Sequence, residues 1–203
     1  MGEEDKEHFK RLWQSFEQAK NDCITKSIKE EIKKTQKNKG INEKAILGSL
    51  KCVPNFLGVY AEDETANLTF NSFPSFIIVN LDKRAMSGSH WISVGIFRNK
   101  LEIFDSLGFQ VFNWPRLPLM LFQFLHRLSV SRNIKISKRI QSDSSSLCGF
   151  YAIFYVLVRQ HSSFSNLQSA FHTNTLSNDR LLLKYFLYIF KFLIYFRITY
   201  DIK

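Results

Sequence analysis

The sequence predicts an α+β fold, a small sheet packed by helices, on three observations. Four short segments between residues 55 and 104 are rich in β-branched and aromatic residues and are bounded by Gly, Pro, Asn or Asp. Stretches on either side carry apolar residues at spacings of three and four, the period of one helix face. Residues 148–158 form an unbroken apolar run, which reads as a helix buried on most sides. The chain has 203 residues, a length that suits one domain with appendages. Its 45% hydrophobic and 23% charged composition excludes a wholly disordered chain.

Along the chain, residues 5–37 read as a helix or helix pair, because Phe9, Leu12, Trp13, Phe16, Cys23, Ile24, Ile28 and Ile32 keep mostly helical spacing. Gly40 ends that segment, and a domain boundary is expected there. Asn42 can then cap a short helix carrying Ala45, Ile46, Leu47 and Leu50. Strands are expected at 55–60, 75–81, 91–97 and 100–104. After Pro115 and Pro118 a helix runs through Leu119, Phe122, Leu125 and Leu128, followed by a strand at 133–140. A polar turn at 141–146 leads into the buried helix. A last helix spans 181–200, with Ser177 and Asn178 as its N-cap. Lys184, Lys191 and Arg197 interrupt its apolar character, and each would cost about 2.5 to 3.5 kcal/mol at a bilayer centre. A packed helix is therefore expected, not a membrane span. The division that follows is a basic helical extension at 1–40, a folded domain at 41–190 and an aromatic tail at 191–203.

Lys and Arg number 28 against 18 Asp and Glu, a net charge of +10. Lys26, Lys29, Lys33, Lys34, Lys37 and Lys39 concentrate part of this excess in the extension, where they are candidates to contact nucleic-acid phosphates. A solvated helix face explains the same run. Three cysteines without a C-x-x-C pair support neither a disulfide scaffold nor a cysteine-rich zinc site, and point to a reducing compartment. An acidic start without an apolar stretch argues against a secretory signal, and Lys6 argues against myristoylation.

The chemistry begins with a hairpin. If Arg98-Asn99 close it, Phe97 faces Lys100, Ile96 faces Leu101, Val94 faces Ile103 and Ile92 faces Asp105, giving one consistently apolar face. His90 then lies diagonal to Asp105, about 7 to 8 Å away at the backbone and within reach of an imidazole. A carboxylate there would hold the ring in the tautomer of a general base. Cys148 is the best placed of the cysteines for a nucleophile, because the positive end of a helix favours thiolate. Its backbone amide is free to donate to an oxyanion, Gln141 offers a side-chain amide as a second donor, and Gly149 permits close backbone approach. Taken singly, a buried cysteine or a strand-edge histidine is more often structural; the joint geometry favours chemistry. His8, His126, His161 and His172 read as surface residues, and Cys23 and Cys52 as packing.

Ser89-His90-Trp91, then Phe104-Asp105-Ser106-Leu107-Gly108-Phe109, then Gln141 and Ser146-Leu147-Cys148-Gly149-Phe150-Tyr151, in that order, resemble the adenovirus-type cysteine proteases. They resemble above all the versions carried by Maverick (Polinton) transposons and related viruses, in a clan that includes proteases of ubiquitin-like modifiers. The resemblance covers about residues 42–190 and leaves the basic extension and the aromatic tail unexplained. It implies a papain-like arrangement around a small mixed sheet, with the chain order His, Asp, Gln, Cys and a central helix starting at the nucleophile. By position, His90 is implied as general base and acid, Asp105 as its orienter, Gln141 as oxyanion donor and Cys148 as nucleophile. Trp91 and Gly149 are the candidates to line the substrate groove.

The expected function is a cysteine endopeptidase acting on viral capsid or core precursors during virion maturation. No cofactor or metal is expected for the chemistry, while DNA and an activating peptide are expected stimulators. A monomer inside the cell, in the host nucleus or the virion, is the matching expectation. The alternatives are an isopeptidase acting on ubiquitin-like modifiers and an inactive relic retained as a binding module.

Overall fold

The computed structural model describes residues 40–108 and 117–200, with side chains as far as Leu187. The expected extension helix and its six lysines lie outside the described residues. Five strands form one mixed sheet in the order β1 (Phe56–Ala61), β2 (Ser75–Asn80), β3 (Trp91–Ile96), β4 (Lys100–Phe104) and β5 (Asn133–Ile136). β1 runs parallel to β2 and β5 parallel to β4, while β2–β3 and β3–β4 are antiparallel. The β3–β4 ladder pairs Val94 with Ile103 and Ile96 with Leu101, the register that the apolar alternation requires.

Alternation along β3 decides what packs on each face of the sheet. Ile92, Val94 and Ile96 join Leu101 and Ile103 beneath helix α2 (Leu119–Ser129), which contributes Leu121, Phe124, Leu125 and Leu128. The opposite face of β3 carries Ser93 and Gly95, and their small size lets helix α3 (Cys148–Arg159) lie close against the strand. Ser93 Oγ donates to Ala152 O at 3.1 Å, and a Cβ at Gly95 would come within 2.2 Å of Tyr155 Oη. All twelve residues of α3 are buried, because α1 (Glu43–Leu50), α4 (Phe164–Ser169) and the first half of α5 (Thr175–Tyr200) cover the sides that the sheet leaves open. Phe150, Tyr151, Phe154, Phe171, Tyr185 and Phe186 meet edge-on or tilted in this layer, the arrangement that ring quadrupoles favour.

Two buried polar groups anchor the layers. Glu102 on β4 accepts from Arg159 Nε at 2.7 Å and Tyr155 Oη at 3.0 Å, and pairs with Lys100 Nζ at 2.8 Å. Burial alone would push this carboxyl up, but the hydrogen bonds and charge from Arg159, together with those from Lys100 and Tyr155, hold it below the usual value. Asn178 on α5 donates to Ile140 O at 3.0 Å and to His172 O at 2.9 Å, tying that helix to the segment before α3.

Some element boundaries differ from the sequence expectation. β5 stops at Ile136 because Ser137 turns inward: its hydroxyl donates to Asp105 O at 2.6 Å and accepts from Asp105 N at 2.8 Å. The last helix begins at Thr175, so its cap is Asn174 and not Ser177 or Asn178; Ser177 N donates to Asn174 Oδ1 at 3.1 Å. That helix runs unbroken from Thr175 to Tyr200. Among the described residues no helix is long and apolar enough to cross a membrane.

Candidate active site

The first residue of α3, the ends of β1 and β2 and the start of β3 converge on one cleft of about 770 Å³, which Leu107, beyond the end of β4, and Gln141 also line. His90 leaves the sheet just before β3, and its carbonyl still accepts from Leu81 N at 3.0 Å, so the backbone beneath the ring is fixed by the ladder. Asp105 follows β4 directly and is fully buried. The diagonal placement inferred from the hairpin is realised: His90 Nε2 lies 2.8 Å from Asp105 Oδ1. A carboxylate only accepts, so Nε2 carries the proton and Nδ1 faces the remaining partner, Cys148, whose side chain hydrogen-bonds the ring.

Leu107 N also donates to Asp105 Oδ1, at 2.9 Å, and fixes the carboxylate plane. Electrostatics follow from these contacts. Burial pushes the His90 imidazolium down, but the hydrogen bonds to Asp105 and Cys148 and the charges of both push it up to about 9. The surroundings of His90 therefore favour its imidazolium form. Cys148 is buried and opens α3; Leu147 at the N-cap makes no side-chain capping bond, so the first amides of the helix have no intrahelical or capping partner there. The start of α3 places the positive end of the helix dipole beside the sulfur.

Gln141 is buried at the floor of the same cleft. Its side chain is held at both ends: Ser106 Oγ donates to Oε1 at 2.5 Å, and Nε2 donates to Ser145 O at 2.7 Å. Ser106 O accepts from Ile140 N and Gln141 N, so the backbone is pinned as well. A primary amide has two N–H groups, and Ser145 O takes one of them.

Trp91 lines the cleft, with its indole N–H donating to Ile41 O at 3.2 Å. Gly149 does not line it. A Cβ there would lie 2.0 Å from Ile41 Cγ2 and 3.2 Å from Trp91 Cδ1, so this glycine is required for packing behind the nucleophile and not for substrate approach. The other wall is the 82–89 loop, which Arg84 ties down through ion pairs with Glu43 and Glu64 and through a backbone bond to Asp63 Oδ1 at 2.9 Å. His126, His161 and His172 are exposed, and Cys52 is half-buried at the end of α1, all away from the cleft. Among the described residues no group of three or more His, Cys, Asp or Glu converges as a metal site would.

Three positioning contacts were not foreseen from the sequence: Ser106 on Gln141, Leu107 N on Asp105, and Asp179, which reaches the 142–145 turn from α5. Only Ser106 carried a local signal, as a small hydroxyl residue directly after Asp105. The model of the family described as adenovirus endoprotease matches residues 56–195 of the chain. No curated protein matches it.

Proposed function

Because the chain belongs to the adenovirus endoprotease family and is therefore a cysteine-type endopeptidase, we propose that Cys148 is its nucleophile and His90 its general base and acid, with viral precursor proteins as substrates. The observation that supports this reading most is the single imidazole set between a buried carboxylate and the cysteine that opens a helix.

The geometry supports these steps. His90 holds the thiol proton, and the Cys148 sulfur attacks the carbonyl carbon of the scissile peptide. The oxyanion of the tetrahedral intermediate is stabilised by the Cys148 amide and the remaining N–H of Gln141 Nε2. As the intermediate collapses, the C–N bond breaks and His90 delivers its proton to the departing amine. Water then attacks the thioester with His90 as base, releasing the carboxylic acid and the thiol. Asp105 keeps the ring oriented and compensates its charge throughout.

Substrates are proteins. The finer assignment, capsid or core precursors cleaved during virion maturation, rests on the motif resemblance and on the family. A net charge of +10 supports nucleic acid as a stimulating scaffold, and the lysines of the extension are its proposed contacts. A peptide-library cleavage assay, run with and without DNA, tests the reading. Cleavage at internal sites, increased by DNA, agrees with it. Cleavage confined to the C-terminus of a ubiquitin-like modifier replaces the substrate assignment. A folded protein with an unreactive Cys148 replaces the enzyme with a binding module.

A further inference from the structure

The end of β2 brings a donor to the cleft without an acceptor. Asn80 closes that strand opposite Trp91, and paired residues of neighbouring strands point to the same face of a sheet. Phe76 and Ile78 precede it on this face and pack in the layer around α3. The Asn80 side chain therefore continues that layer towards the start of α3, where it lines the cleft together with Trp91 and Cys148. It is only 8% exposed. Its Oδ1 accepts from Asp82 N at 2.9 Å. A backbone N–H only donates, so the oxygen is fixed on that side and Nδ2 is turned the other way. There it meets Gly88, another lining residue, whose φ is 83°. A Cβ on Gly88 would come within 2.2 Å of Asn80 Nδ2. Among the described residues no acceptor takes the Nδ2 protons.

We infer that Asn80 is a substrate-binding residue whose Nδ2 donates to a main-chain carbonyl oxygen of the bound peptide; the inference rests on the reading of this cleft as the peptidase site. The turn at the end of β2 accounts only for the oxygen of the amide. An aspartate makes the same turn and brings no N–H to bury, whereas a buried N–H without an acceptor is costly. A peptide brings a carbonyl at every residue, whatever its side chains, and so supplies the missing acceptor for any protein substrate. Gly88 keeps the donor in place, because a side chain there would occupy the position of the amide nitrogen. Sheet order locates the contact along the substrate. β2 lies on the far side of β3 from β4, and Gln141 is held through Ser106, just beyond the end of β4. Neighbouring strands are about 4.8 Å apart and an extended residue spans about 3.3 Å. The carbonyl that Asn80 holds therefore belongs to a residue about two to three away from the scissile bond, and is not the one that becomes the oxyanion.

The test uses the full chain and a peptide that the wild type cleaves. Each peptide bond except the scissile one is replaced in turn by a trans-alkene, which removes the carbonyl oxygen and keeps the planar shape. Asn80→Asp retains an oxygen for Asp82 N and loses the donor, while Asn80→Ala loses both; either variant that folds suffices for the scan. Both are expected to lower kcat/KM on the unmodified peptide by about threefold to tenfold, the loss of one hydrogen bond. In the wild type one alkene position is expected to cost at least the same factor. At that position the variants are expected to lose correspondingly less than the wild type, since the two changes remove one contact. At the other positions wild type and variants should fall alike. Wild-type kinetics in Asn80→Asp would assign the side chain to the turn alone and overturn the inference. Equal losses in wild type and variants at every alkene position would overturn it as well. Hydrolysis that survives Cys148→Ala would overturn the nucleophile assignment beneath it, an outcome separate from any effect of Asn80.

Discussion

The Ser106 hydroxyl donates to Gln141 Oε1 at 2.5 Å, one residue beyond the carboxylate that meets His90 Nε2 at 2.8 Å. A single dipeptide at the end of β4 therefore orients both the base and the amide on the opposite side of the nucleophile. An amide whose oxygen is occupied by a donor must turn its nitrogen the other way, so Ser106 decides which end of Gln141 faces the cleft.

Ser106→Ala is accordingly expected to lower kcat/KM by roughly tenfold, and Gln141→Ala by about a hundredfold to a thousandfold, the range for loss of one oxyanion donor. Steady-state kinetics on one peptide check both. A Ser106→Ala variant that retains full activity would mean that Ser145 O alone holds the amide.

His90 sets the alkaline limit. Its folded-state value of about 9 lies above the ordinary 6.5. Its contribution to stability is therefore complete below pH 6.5 and is lost as pH rises through about 9. The imidazolium form of His90 disappears over the same interval. A pH profile of kcat/KM is expected to fall with a limb near 9, and Asp105→Asn to move that limb to lower pH by removing the charge that raises it.

The element pattern was legible because it rests on local spacing. The β3–β4 register followed from alternation, α1 from Asn42, whose Oδ1 accepts from Ala45 N at 2.9 Å, and α3 from an apolar run with no turn residue. The His90–Asp105 pairing was legible for the same reason, because the hairpin register can be counted, whereas Cys148 was read from the start of a helix and Gln141 from the polar turn before it. What was not legible depends on tertiary approach. Helix α4 is only six residues long and mostly polar, held by the Ser163 cap and by burial of Phe164 and Leu167. Asp179 carries no signal of its own in the sequence, and gains a contact with the 142–145 turn only through the packing of α5. Gly149 reads as an opening beside the sulfur, whereas Ile41, far earlier in the chain, fills the space.

Gly149→Ala should consequently disturb packing. Its Cβ would lie 2.0 Å from Ile41 Cγ2, so Ile41 and the Trp91 indole must move. A loss of about 1 to 3 kcal/mol is expected, the usual cost of overpacking, with a lower kcat/KM because Trp91 lines the cleft. Thermal denaturation beside kinetics measures both, and an unchanged Tm would contradict the packing account.

Glu102 gives a prediction remote from the cleft. Its carboxyl is held below the usual range, so the stability it contributes is present above about 4.5 and is lost as pH falls through its folded value. Glu102→Ala leaves Arg159 buried without its partner and is expected to cost about 3 to 5 kcal/mol. Denaturant unfolding at neutral pH and again in acid should show this deficit shrinking as the wild-type carboxylate is protonated. A constant deficit would assign the effect to lost volume.

The account stands most directly on cleavage by the purified chain beside Cys148→Ala and His90→Ala. The expected result is peptide hydrolysis at internal sites in the wild type and loss of about a thousandfold or more in either variant, since nucleophile and base act as one unit. Hydrolysis that persists in Cys148→Ala, in a protein free of contaminating protease, would contradict it.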